Sequence, residues 1–197
     1  MKEIQEYEKD LASIRNVMER SVKFISLSGL SGILSGAYAL GGAWAGYYLL
    51  NSFVDEKVAM TRLCIIAAAV LALSLGSGYL LSLRKAKKLD LPIWSTTSRQ
   101  LLIDLLIPLL TGGALILILI SQGSYVMVSA VCLIFYGLAL LQASRHTYEE
   151  IRYLGLTEIA LGLLSALLPG YGLILWALGF GVMHIVYGAV MHFRYDR

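Results

Sequence analysis

The chain of 197 residues carries 16 Lys and Arg against 13 Asp and Glu, a net charge of +3, and 58% of it is hydrophobic. Charged residues make up 15%, where ordinary soluble domains have about 25%, and the mean hydropathy is +0.73. This balance excludes an ordinary soluble domain. The small basic excess is a topology signal of a bilayer protein, not a nucleic-acid surface.

Residues 1–23 come first. Ile4, Tyr7, Leu11, Ile14 and Met18 recur every three or four positions, which predicts an amphipathic helix. Its polar face mixes five basic residues (Lys2, Lys9, Arg15, Arg20, Lys23) with five acidic ones (Glu3, Glu6, Glu8, Asp10, Glu19). Membrane-surface helices are polybasic instead, so the stripe is expected to dock on the protein's own loops, on a second copy or on a cytosolic protein. A plain cytoplasmic extension of the first span stays open. With charges throughout and no apolar h-region, no signal peptide is expected here.

A membrane-spanning helix needs about 20 predominantly apolar residues. Six runs meet that length or come near it: 24–50, 62–83, 100–121, 124–143, 152–168 and 171–192. "SQGS" (121–124) and "PGYG" (169–172) are tight-turn chemistry, and with "NSFVDEK" (51–57) they fall on one side. "RKAKKLDLPIWSTTSR" (84–99) and "SRHTYEEIR" (144–152) fall on the other. Fourteen of the sixteen Lys and Arg lie on that second side with the termini, leaving Lys57 and Arg62 for the first. The positive-inside rule then puts both termini, including the tail 193–197, in the cytoplasm.

The expected fold is therefore all-α: six transmembrane helices as three in–out–in hairpins in a bacterial inner membrane, preceded by the amphipathic helix. "LIFYGLAL" (133–140) and "HIVYGAVM" (184–191) share a Tyr-Gly dipeptide. That reads either as parallel repeats or as common membrane composition.

Small residues mark packing faces, because they let backbones approach closely in lipid. In the first run Ser28, Gly32, Gly36, Ala39 and Ala43 share one face, and Gly42 and Gly46 form a second pair. In the fifth run Gly155, Glu158, Gly162 and Ser165 follow the same helical spacing, and in the sixth so do Ala177, Gly181, His184, Gly188 and His192.

Ionisable groups inside a membrane are costly and face protein. Asp104, Glu158 and His184 qualify, while His146 and His192 sit at the cytoplasmic boundary. The turn from the fifth run to the sixth puts Glu158 and His184 at similar depth, so a contact between them is expected, with separate partners as the alternative. In "DLLIPLLTGG" (104–113), Pro108 cannot donate to the carbonyl of Asp104, and Gly112 and Gly113 follow. This predicts a kink, read either as a transporter-like broken helix or as a bend satisfied by a neighbour.

No metalloprotease, redox, nucleophile-elbow, Walker or dinucleotide motif occurs. No metal and no cofactor is expected, since a haem needs ligands facing each other at matching depth. Cys64 and Cys132 lie in separate apolar runs and read as buried small residues.

"FISLSGLSGILSGAYALGGA" (24–43), "LLIDLLIPLLTGG" (101–113), "IFYGLALLQASR" (134–145), "IRYLGLTEIALGLL" (151–164) and "GYGLILWALGFGVMHIVYG" (170–188) resemble a family of six-span proteins of the Bacteroidota. The resemblance covers nearly the whole chain. It implies a regulated or sensory setting, members being encoded beside a winged-helix transcriptional regulator, and no assigned activity. The three-hairpin layout is similar to that of HdeD-type acid-resistance membrane proteins, in architecture alone. The expected function is that of a non-enzymatic inner-membrane protein acting through association with itself or a partner, linked to stress or regulation. The alternative is a small transporter or channel using Asp104, Glu158 and His184.

Overall fold

A run of apolar residues in a medium without water must pair every backbone N–H and C=O within its own segment, and the helix does this. The computed structural model describes residues 28–52, 55–89 and 94–195, and over these it is 89% helical with no strand. The amphipathic helix expected over 1–23 lies outside the described residues, as do 24–27 at the start of the first run.

Five runs form single helices: α1 (Gly29–Leu50), α2 (Glu56–Lys88), α3 (Thr96–Ser121), α4 (Val128–Ala143) and α5 (Glu150–Leu167). The sixth is broken into α6 (Gly172–Trp176), a π-helical segment (Ala177–Met183) and α7 (His184–Tyr195). Residues 193–195, expected as tail, continue α7.

Four helical stretches are long and apolar enough to cross a membrane: Lys57–Lys88, Thr96–Ser121, Tyr125–His146 and Gly172–Tyr195. α1 and α5 differ from these in composition. α1 is dense in Gly, Ser and Tyr, and the 18 residues of α5 include Glu150, Arg152 and Glu158.

Local chemistry sets the helix ends. Asp55 accepts the N–H groups of Lys57 and Val58 at the start of α2. Ser95 and Ser98 form a reciprocal capping box at the start of α3. Gly123 and Gly170 take positive φ (72° and 96°) in the two tight turns, a conformation that L side chains rarely adopt.

The helices stand in the order α2, α1, the α6–π–α7 run, α5, α4, α3, each packed mainly on its neighbours. α5 lies chiefly on α4 and only secondarily on the broken sixth run, to which its turn connects it. Small residues explain the tight seams. A β-carbon on Gly188 would fall 2.5 Å from the backbone N of Ile33, and one on Gly36 would fall 2.5 Å from the carbonyl O of Gly181. Gly32 faces Gly188 as well. Gly42 and Gly46 turn to α2, against Val70 and Leu63, so the two small faces of α1 serve two different partners.

Gly137 and Gly155 oppose each other across the α4–α5 seam, with Gly162 against Ile134. In α3 the helix runs unbroken through the buried Pro108. Gly112 is packed on Phe135 of α4, whereas Gly113 has open space beside it.

α2 and α3 form the two edges and keep most of their apolar side chains uncovered: Ile65, Leu73 and Leu75 of α2 and Ile107, Leu110 and Leu117 of α3 are all exposed. At about 1.5 Å rise per residue, the 33 residues of α2 extend roughly 50 Å, beyond a hydrocarbon core of about 30 Å, and Lys85, Lys87 and Lys88 occupy its last turn.

At that end Lys85 Nζ donates to the hydroxyl of Tyr148 (3.4 Å), and Glu150 accepts from Arg194 and Tyr195 (2.9 Å each). Exposed aromatics ring both ends, with Trp44, Tyr47, Tyr48 and Tyr171 at one and Trp94, Tyr153 and Phe193 at the other.

Candidate functional site

The π-helical segment decides where the polar side chains of the bundle meet. A π-turn inserts a residue into the α-helical count, so the three-and-four spacing of the sequence does not carry across residues 177–183. Gly181 and Gly188 face α1, against Leu40 and Ile33. The imidazole of His184 turns the other way, toward α4 and α5. The small-residue stripe of the sixth run is thus divided between two neighbours. Within the segment, a β-carbon on Gly179 would strike the carboxylate of Glu158 and Leu133 of α4. The bare backbone of Gly179 is what admits Glu158.

Glu158 is completely buried and His184 is 6% exposed. Oε1 of Glu158 lies 3.5 Å from Nδ1 of His184. Nδ1 also sits 3.0 Å from the carbonyl O of Gly179. A carbonyl only accepts, so Nδ1 carries the ring proton and donates it there. In the neutral ring Nε2 is then the acceptor, and the hydroxyl of Tyr136 donates to it at 2.7 Å. Tyr136 comes from α4, His184 from α7 and Glu158 from α5, so three helices are tied at one point.

An aromatic column backs the imidazole. Phe180 stacks on His184 with centroids 5.8 Å apart and planes 14° apart, and Trp176 and Tyr136 lie 5.1 and 4.7 Å from Phe180. The carboxylate itself has no hydrogen-bond partner on either oxygen. Buried polar groups almost always find one, and Glu158 is the carboxylate of the described residues that has both oxygens buried and unmatched.

Asp104 is not part of this cluster. Nε2–H of His146 donates to its Oδ2 at 3.0 Å, and the two side chains are 29% and 25% exposed. His146 follows α4 in a short 3-10 turn (Ser144–His146), so this pair ties α3 to the end of α4. The helix-packing glycines Gly32, Gly36, Gly42, Gly46, Gly162, Gly181 and Gly188 line seams around the cluster and do not touch a common point.

Tyr136, Gly179 and Phe180 are the members that spacing alone does not single out. The signal for Tyr136 was the shared Tyr-Gly dipeptide. Its Gly137 packs on Gly155 as Gly188 packs on α1, which leaves the preceding Tyr136 and Tyr187 beside the centre. Glycine content gives no signal for the π-helical segment, since α1 is richer in glycine and winds regularly. Among the described residues no group of three or more His, Cys, Asp or Glu is placed to hold a metal.

No protein-family model, curated protein or solved structure matches this chain.

Proposed function

We propose that this chain is a six-span protein of the bacterial inner membrane, with both termini in the cytoplasm, that acts without catalysis by associating with a second copy of itself. The observation that carries the association is the outward face of α2. Cys64, Ala68, Ala72 and Gly76 recur there at intervals of four, all exposed, and Gly76 has open space beside it. The small faces on α1, α4, α5 and α7 are filled by a neighbouring helix, and close backbone approach is what such faces are for in lipid.

The topology rests on the fourteen-to-two charge distribution. It is supported by the meeting at one end of three segments assigned to the same side: Lys85 with Tyr148, and Glu150 with Arg194. Aromatic girdles at both ends suit two membrane interfaces. The motifs quoted above support reading the chain as similar to the six-span proteins of the Bacteroidota. The transporter reading draws on the adjacency of Glu158 and His184, while Asp104 is engaged with His146 instead.

Cys64 offers a direct test. In a symmetric pair whose axis runs along the membrane normal, the two Cys64 thiols lie at equal depth near that axis. Mild oxidation of the membrane-embedded full chain should give a disulfide-linked dimer that disappears in Cys64→Ser and persists in Cys132→Ser. A chain that stays monomeric by mass in lipid nanodiscs and forms no Cys64 cross-link refutes the association. Reporter fusions after Arg197 and within 84–99 test the topology separately. A periplasm-active phosphatase at either point overturns it.

A further inference from the structure

The centre at the π-helical segment does something that association between copies does not require. It holds a carboxylate, completely buried, with neither oxygen hydrogen-bonded, 3.5 Å from an imidazole nitrogen whose proton is already given to a backbone carbonyl. A group used only for packing is expected to be fully partnered, because an unmatched polar atom inside a protein is costly. We propose that Glu158 and His184 together form a binding site for a single proton inside the helix bundle, and that the π-helical segment is the part of the fold that responds to its occupancy.

The stoichiometry follows from the hydrogen bonds. In the deprotonated state of the pair, with Glu158 ionised and His184 in the neutral tautomer that the donors and acceptors around the ring fix, the pair carries one negative charge. One added proton makes it neutral, in either of two arrangements. On the carboxyl, the proton gives Glu158 an O–H donor where it now has none. On the ring, it occupies Nε2, and the Nε2–Tyr136 hydrogen bond must reverse so that the phenol oxygen accepts. In that second arrangement Nδ1–H stands between the carbonyl of Gly179 and the carboxylate, which compete for it.

A proton on the ring makes Nδ1–H a stronger donor, and a proton on the carboxyl removes the charge that competes for it; both act on the bond to Gly179, within the π-helical segment. π-turns inside α-helices are rare and concentrate at functional positions. The titratable groups facing Glu158 are Cys132 and Tyr136 from α4 and His184 from α7, with Tyr187 of α7 facing Tyr136. Each of Cys132, Tyr136 and Tyr187 is neutral until it loses a proton, so the charge balance of the centre is decided by Glu158 and His184.

The test uses the full chain in lipid nanodiscs, with the proton as the only ligand varied. Infrared difference spectra between acid and alkaline buffer should show one proton taken up per chain at this centre, as a carboxylic C=O stretch where Glu158 holds it and as an imidazolium band where His184 does. The signal of that proton should vanish in Glu158→Gln and shift in Tyr136→Phe. If the difference spectra of wild type and Glu158→Gln superimpose, the proposal is wrong.

A second measurement needs no variant at the carboxylate. In the wild-type chain labelled at histidine nitrogens, with His184 assigned by the resonance missing from His184→Gln, the alkaline form should have its proton on Nδ1. Its two nitrogen signals should move over the same pH interval as the infrared signal. Nitrogen signals that stay fixed over that interval overturn the coupling of the two groups, and an infrared signal that follows sodium concentration at constant pH overturns the choice of ligand.

Discussion

Gly188→Ala tests the packing physics most sharply. The added β-carbon would stand 2.5 Å from the N of Ile33, 2.6 Å from the O of Gly29 and 2.9 Å from the C of Gly32, all of them backbone atoms of α1. None can rotate aside. Restoring the 3.4 Å of ordinary van der Waals contact moves the two backbones roughly 0.9 Å apart, a gap that forfeits about a quarter to a half of each dispersion well along the seam.

Overpacking of this kind costs about 1–3 kcal/mol, against a gain of up to about 1 kcal/mol from replacing glycine inside a helix. The net loss should be about 1–2 kcal/mol, because the obstacle is rigid. Gly113→Ala and Gly41→Ala supply the contrast, since neither glycine has any such atom within 4 Å. They should be neutral or stabilising by up to about 1 kcal/mol. A separation of about 2 kcal/mol between the two classes is roughly thirtyfold in the unfolding equilibrium constant. Equilibrium unfolding in mixed micelles, followed by far-ultraviolet circular dichroism, measures it. Three variants shifting alike would refute backbone contact between α1 and α7 as the reason glycine occupies position 188.

Tyr136→Phe removes the donor to Nε2 of a buried imidazole and should destabilise the bundle by about 1–3 kcal/mol. A double-mutant cycle with His184→Gln should be non-additive, and additive losses would mean the 2.7 Å bond contributes nothing. Asp104→Asn weakens a pair that is more than a quarter exposed on average, so its cost should stay below about 1 kcal/mol and fall with added salt. A salt-independent loss would place the pair out of reach of solvent. Pro108→Ala returns a backbone N–H opposite the carbonyl of Asp104. Hydrogen exchange at residue 108 should be slow, and a fast-exchanging amide there would mean that α3 is bent by its packing on α4 whatever residue stands at 108.

Several features were legible in the residues alone. Apolar run length marks where helices must form, because backbone groups in an apolar medium have nowhere else to bond. Three-and-four spacing marks which positions share a face, which is how Gly32 and Gly36 are picked out as one seam of α1 and Gly42 and Gly46 as another. Spacing says nothing of which helix fills a face, since periodicity is a property of one segment and contact is a property of two. Depth in the hairpin pairs Glu158 of α5 with His184 of the sixth run, yet the glycines of the same α5 face, Gly155 and Gly162, pack on α4.

Asp104, grouped with Glu158 and His184 by its chemistry, belongs with His146, because chain folding brings the end of α4 beside α3. The π-helical segment was the least legible. Its glycines are consistent with close packing or with irregular winding, and only the π-helical path of Ala177–Met183 in the folded bundle distinguishes them. That winding turns His184 away from the small-residue stripe and toward Tyr136 and Glu158. Helix existence is a local decision of the backbone and its solvent; the polar centre exists only because α4, α5 and α7 bring Tyr136, Glu158 and His184 together beside the bare backbone of Gly179.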